Sequence, residues 1–141
     1  ERISLESVIT TAIELKVEAA RRHRVTVVPD YRPPLGHVRA DRARVRHLLA
    51  AIIDRVVHAM PAGRTLTISA RRKQRSVLLA IGDRDQDPAT HEDVSARELQ
   101  FVLANEVLVL HGGVLHMSRP VGGGTPTVWI QLPLSRRRTK S

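Results

Sequence analysis

The chain has 141 residues, 42% apolar and 26% charged, a composition that fits one globular domain and excludes a disordered chain. It contains no cysteine, which excludes disulfides, thiolate catalysis and cysteine-held zinc. A net charge of +9, carried mostly by arginine, points to an anionic partner or to a solvated arginine-rich surface.

Apolar residues at helical spacing (Leu5, Val8, Ile9, Ala12, Ile13, Val17) predict a first helix capped by Ser4 and ending near Arg22–His23. The β-branched run Val25 to Val28 predicts a strand, and Pro29, Pro33, Pro34 and Gly36 punctuate the loop after it. His37 to Ala40 is a short strand candidate. Asp41 then caps a second helix with Val45, Leu48, Leu49, Ile52, Val56 and Ala59 on its apolar side, stopped by Pro61 and Gly63. Thr65 to Ser69 alternates as a half-buried strand, Arg71 to Arg75 is expected as a basic turn, and Val77 to Ile81 as the opposing strand. Asp83 to Asp93 is expected as an acidic loop. Ser95 caps a third predicted helix running to about Leu110, and the glycines after His111 end it. Val114 to Met117 and Thr127 to Leu132 form a last strand pair around Gly122-Gly123-Gly124, and residues 135–141 are expected as a flexible basic tail after a single domain spanning 1–134. There is no internal repeat. This order predicts an α+β two-layer sandwich, a mixed and mostly antiparallel sheet covered on one face by about three helices.

Four segments in this order carry a resemblance: ADRARVRHLL, HAMPAGRTLTISAR, VLLAIGD and VLHGGVLHMSRPVGGGTPTVWIQLPL. Together they resemble the histidine-kinase-type ATPase domain (the GHKL or Bergerat fold), and in particular the ATP-binding domain of nitrogen-regulation-type sensor kinases. The resemblance covers nearly the whole chain and implies ATP as ligand and Mg²⁺ as the ion bridging its phosphates. In that family an aspartate accepts a hydrogen bond from the adenine amino group, helix asparagines hold Mg²⁺, and glycines let a lid approach the phosphates. The adenine aspartate falls on Asp83, at the end of an apolar strand where a carboxylate needs a partner.

The motif departs from the family at the metal. Aligned by His58-Ala59-Met60-Pro61, the two asparagine positions fall on Ala51 and Arg55, and the usual lysine on His58. These residues are spaced i, i+4, i+7 and share one helix face. Ala51 has no donor atom. Arg55 either clamps a phosphate directly or is a solvated surface arginine. His58 contacts phosphate, lies on the surface, or pairs with Asp54. Asp85 and Asp87 stand where the family has glycines. With Asp54 they are candidate replacement metal ligands, because oxygen donors suit Mg²⁺. Asp87 also counts as a candidate nucleotide contact, whereas a calcium loop over Asp83, Asp85 and Asp87 lacks its glycine and glutamate. Glu98 and Gln100 replace a second glycine pair. Gly124 and Thr125 match the late glycine turn, with Pro126 one residue in excess. An ordinary hairpin turn explains these glycines equally well.

None of the seven histidines sits in a phosphoacceptor motif. The resemblance therefore implies the catalytic part of a longer two-component sensor kinase, donating the γ-phosphoryl of ATP to a histidine on a dimerisation domain absent from this chain, with a response regulator downstream. Cytoplasmic placement without membrane contact is expected, since no apolar run approaches the roughly 18–20 residues of a membrane span. The alternatives are a pseudokinase docking domain that no longer binds ATP, and a basic nucleic-acid-binding module using Arg71 to Arg75 and Arg136 to Arg138. The last is not favoured, because only Tyr31, Phe101 and Trp129 are available to stack on bases.

Overall fold

The computed structural model describes residues 2–95, 97–98 and 112–135. In chain order the elements are β1 (Arg2–Ser4), α1 (Leu5–Arg22), β2 (Thr26–Asp30), β3 (His37–Arg39), α2 (Arg42–Ala59), β4 (Thr65–Lys73), β5 (Ser76–Asp83), a 3₁₀ turn (Pro88–Thr90), β6 (His91–Asp93), β7 (Val114–Pro120) and β8 (Thr127–Pro133). Six strands form one sheet in the order β2-β4-β5-β8-β7-β6, and β1 and β3 form a separate two-stranded ribbon. Among the described residues only β2 and β4 pair in parallel; the other pairs are antiparallel. This is the mixed, mostly antiparallel α+β sandwich that the order of elements predicts.

Both described helices start where a side chain replaces a missing intrahelical acceptor. Ser4 accepts from the Ser7 amide at the head of α1, and Asp41 accepts from the Arg44 amide at 3.1 Å at the head of α2. The helices pack together and lie on one face of the sheet. Strand alternation sends Leu66 and Ile68 of β4, Val77, Leu79 and Ile81 of β5, and Val128, Ile130 and Leu132 of β8 toward that face, where all are buried. They meet Leu5, Val8, Ile9 and Ala12 from α1 and Val45, Leu48, Leu49, Ile52, Ile53 and Val56 from α2 in one core.

Three sequence expectations are corrected. Arg71 to Arg75 is not a turn: β4 continues through Lys73, and only Gln74, at φ +55°, and Arg75 reverse the chain. Arginine and lysine prolong the strand because their neighbours across it, Leu78 to Ser76, still pair with them. The segment from Asp83 to Asp93 is not all loop, since His91 to Asp93 add the edge strand β6 to β7. The first strand, β1, precedes the first helix and pairs with β3. Two helices are described; most of the third predicted helix, Ser95 to Leu110, lies outside the described residues. Its cap is present, with the Ser95 hydroxyl accepting from the Glu98 amide at 3.2 Å. Residues 136–141 also lie outside the described residues. Ser135, where the tail was expected to begin, is tied to β3 through its amide and the His37 carbonyl at 2.7 Å.

Candidate functional site

The face of α2 that carries Ala51, Arg55 and His58 borders a cleft of about 670 Å³. Lys16 enters it from α1, Met117 and Arg119 from β7, Gly124 and Pro126 from the glycine turn, and Val128 from β8. Its floor is apolar, because Ile52, Val56, Met117 and Val128 are buried in the core beneath it. Its rim is polar: Lys16, Asp54, Arg55, His58 and Arg119. The helical spacing of 51, 55 and 58 therefore does place three sequence-selected positions on one side of one cavity.

Charge on this rim is unevenly compensated. Lys16 lies 3.8 Å from the Asp54 carboxylate, and Arg119 pairs with Glu98. Arg55 has no ion-pair partner among the described residues and is exposed. His58 Nδ1 faces the Asp54 carbonyl at 2.7 Å, so Nδ1 must be the donor, and the Asp54 carboxylate is 3.8 Å away. The His58 ring also meets His23 edge-on, with centroids 4.6 Å apart. Of the three alternatives for His58, pairing with Asp54 is observed, while its ring remains exposed at the cleft. Lys16 and Arg119 were not among the sequence-selected residues. No local motif marks them, because they reach the cleft from elements remote from α2 in the chain.

Asp54 and Gly124, also selected, line the cleft as well, whereas Asp83, Asp85, Asp87 and Thr125 do not. Asp83 projects to the helix-covered side, in step with Ile81, and its side chain has no solvent exposure. Its Oδ2 accepts from Arg64 Nε at 2.8 Å, and its Oδ1 accepts from the Asp85 amide at 3.0 Å. The neighbouring carboxylate holds the Arg64 guanidinium above its ordinary pKa, first through this hydrogen bond and then through charge. The partner that a buried aspartate requires is thus supplied from inside the chain. Asp87 caps the 3₁₀ turn, accepting from the Ala89 amide at 3.0 Å. Asp85 is exposed. Thr125 is buried, and its hydroxyl donates to the Ala59 carbonyl at 3.4 Å, tying the glycine turn to the end of α2.

This donor set does not fit a Mg²⁺ held by protein side chains. By the resemblance, Ala51 and Arg55 stand where the family has asparagines, and the Asp54 carboxylate lies 3.8 Å from the Lys16 ammonium. Among the described residues no three carboxylates or histidines gather at metal-binding distance.

Two curated relatives match along nearly the whole chain. The C4-dicarboxylate transport sensor protein DctS of Rhodobacter capsulatus is 26% identical over 147 aligned positions, covering 93% of this chain. The sensor protein DivL of Caulobacter vibrioides is 24% identical, covering 94%. The chain spans only 22% and 19% of their lengths. Solved structures with the same fold include the catalytic domain of histidine kinase ThkA, with TM-score 0.72, 16% identity and coverage of 97% of this chain and 98% of that one. The mycobacterial sensor histidine kinase MprB gives TM-score 0.73 at 20% identity, covering 94% and 96%. No family model matches the chain. The fold is that of sensor histidine kinase catalytic domains, in agreement with the resemblance carried by the residues, and no described helix is long and apolar enough to cross a membrane.

Proposed function

We propose that this chain is the ATP-binding catalytic domain of a divergent sensor histidine kinase, in which side-chain cations take the place of the protein-held metal. The observation that supports this best is the cleft along α2, where Arg55 stands at an asparagine position with no ion-pair partner among the described residues. A guanidinium there meets phosphate oxygens directly and bidentately. Lys16 from α1 adds the ammonium that position 58 lacks. His58 presents its Nε2 edge, since Nδ1 is held by the helix backbone. Gly124, at φ +138°, keeps the turn beside the cleft free of a side chain. The apolar floor accommodates a nucleoside ring. A solved relative of the same fold, ShkA, is in complex with AMPPNP, at TM-score 0.72 and 15% identity.

The γ-phosphoryl would pass to a histidine nitrogen of a dimerisation domain outside these residues, with ADP as leaving group, and then to a response regulator. Among the relatives, ThkA is seen in complex with the response regulator protein TrrA. We place the domain in the cytoplasm with its kinase partners. Calorimetry tests the binding step. ATP should bind wild type, and Lys16→Glu or Arg55→Glu should weaken binding about tenfold or more, on the scale of one lost charge-assisted hydrogen bond. Equal binding by all three proteins would exclude the cleft.

One observation favours a second reading, a pseudokinase kept for docking: Asp83 is sealed and already paired with Arg64. Under that reading ATP leaves the melting temperature unchanged, because a ligand that does not bind the native state does not stabilise it.

A further inference from the structure

The proposed cleft and the aspartate that would read the base are separate. We propose that Arg64 makes this site select the phosphate chain and not the base, so that its ligands are nucleoside triphosphates irrespective of the ring they carry. The inference rests on the nucleotide-site reading of the cleft.

Asp83 can recognise adenine only by accepting a hydrogen bond from its amino group. Each of its oxygens accepts one bond, Oδ2 from Arg64 Nε at 2.8 Å and Oδ1 from the Asp85 amide at 3.0 Å, and its remaining lone pairs meet no solvent. Its side chain is sealed from solvent, and neither Asp83 nor Arg64 is among the residues that line the cleft. Drawing the guanidinium away would leave a buried charge uncompensated, a larger loss than one neutral hydrogen bond from a base returns. The one proton of the Thr125 hydroxyl goes to the Ala59 carbonyl, and Thr125 is buried and does not line the cleft.

Among the described residues, what remains in the cleft for a ring is the apolar floor of Ile52, Val56, Met117 and Val128. Apolar surface buries adenine and guanine alike, whereas strong discrimination needs polar groups that a wrong base leaves unpaired. Asp54, the one carboxylate on the rim among the described residues, lies beside Lys16 and is partly solvated. The phosphate end, in contrast, has its cations in place. Selection therefore falls on the part of the ligand that every nucleoside triphosphate shares.

The test is competitive binding of ATP, GTP and inorganic tripolyphosphate to the whole chain, wild type and Arg64→Met. ATP and GTP should bind wild type within about fivefold of each other, far below the discrimination a hydrogen-bonding base pocket achieves. Arg64→Met removes the partner that holds the Asp83 carboxylate in its sealed position; the uncompensated charge should then turn out toward the solvated cleft, where it meets a base, and shift the ratio toward ATP by about tenfold. Circular dichroism checks that the variant is folded. If it is not, the wild-type ratio alone decides. A wild-type preference for ATP above fivefold, or a folded Arg64→Met with an unchanged ratio, overturns the proposal while leaving the cleft reading intact. Failure of all three ligands to bind wild type overturns the cleft reading, and this inference with it.

Discussion

Gly82 and Thr127 show how closely single residues constrain this sheet. A Cβ on Gly82 would stand 2.7 Å from the Thr127 hydroxyl and 3.2 Å from its methyl. Thr127 is buried and β-branched, so rotating it only exchanges one group for the other. Gly82→Ala should therefore lower stability by about 1–3 kcal/mol in urea titration, the range for overpacking. An unchanged midpoint would mean that the strands separate freely. Tyr31 offers a pH test. Burial, and after it the charge of Glu6, raise its pKa above the ordinary 10.0, against a hydrogen bond with Thr10 that lowers it. The unfolded chain then loses this proton first, so stability should fall as pH rises past about 10. Tyr31→Phe should flatten that alkaline limb in thermal melts. At this scale Asp83 was legible, as a carboxylate ending an apolar strand. Arg64 was not, because the β4–β5 register that sets Leu66 opposite Asp83 is invisible in local spacing.

At the scale of elements, the best-read features were those whose causes lie within one segment. Ser4 and Asp41 cap α1 and α2 because a short polar side chain reaches an amide three residues on. Asp41→Ala should cost about 1 kcal/mol in denaturant unfolding, and Asp41→Ser much less. If both variants match wild type, the cap contributes nothing to α2. The apolar stripe of α2 also announced its buried side, which left Ala51, Arg55 and His58 to face the cleft. The short strands β1 and β6 leave no such mark in the sequence. Each has three residues, too few for an alternation to register, and each exists only through a distant partner, Ser4 with His37 and His91 with Pro120. The basic run of β4 resembles a turn for a related reason. Charged residues at a hairpin's solvated end look like a turn until the opposing strand is known. The cleft itself was half legible: one wall is a single helix, while Lys16 and Arg119 come from α1 and β7.

At the scale of the whole molecule, a charge of +9 attracts any polyanion, so an effect of salt on ATP binding would not by itself locate the site. Arg71 provides the comparison. It lies exposed in β4 and does not line the cleft, and Arg71→Glu changes the net charge as much as Arg55→Glu does. If long-range attraction is all there is, the two variants lose affinity equally, and the loss vanishes with added salt as the Debye length shrinks to about 10 Å at 0.1 M. If Arg55 clamps a phosphate, only Arg55→Glu loses about tenfold at that ionic strength. Magnesium then supplies a test of opposite sign to the family's usual dependence. A site that holds Mg²⁺ binds the magnesium complex more tightly than free ATP. A cleft of bare cations prefers the free anion, because Mg²⁺ neutralises part of the phosphate charge before it arrives. Titration of ATP in excess chelator and in excess Mg²⁺ should therefore give the tighter binding in chelator. Tighter binding with Mg²⁺ would show that carboxylates such as Asp54, Asp85 or Asp87 gather around the ion when nucleotide is present.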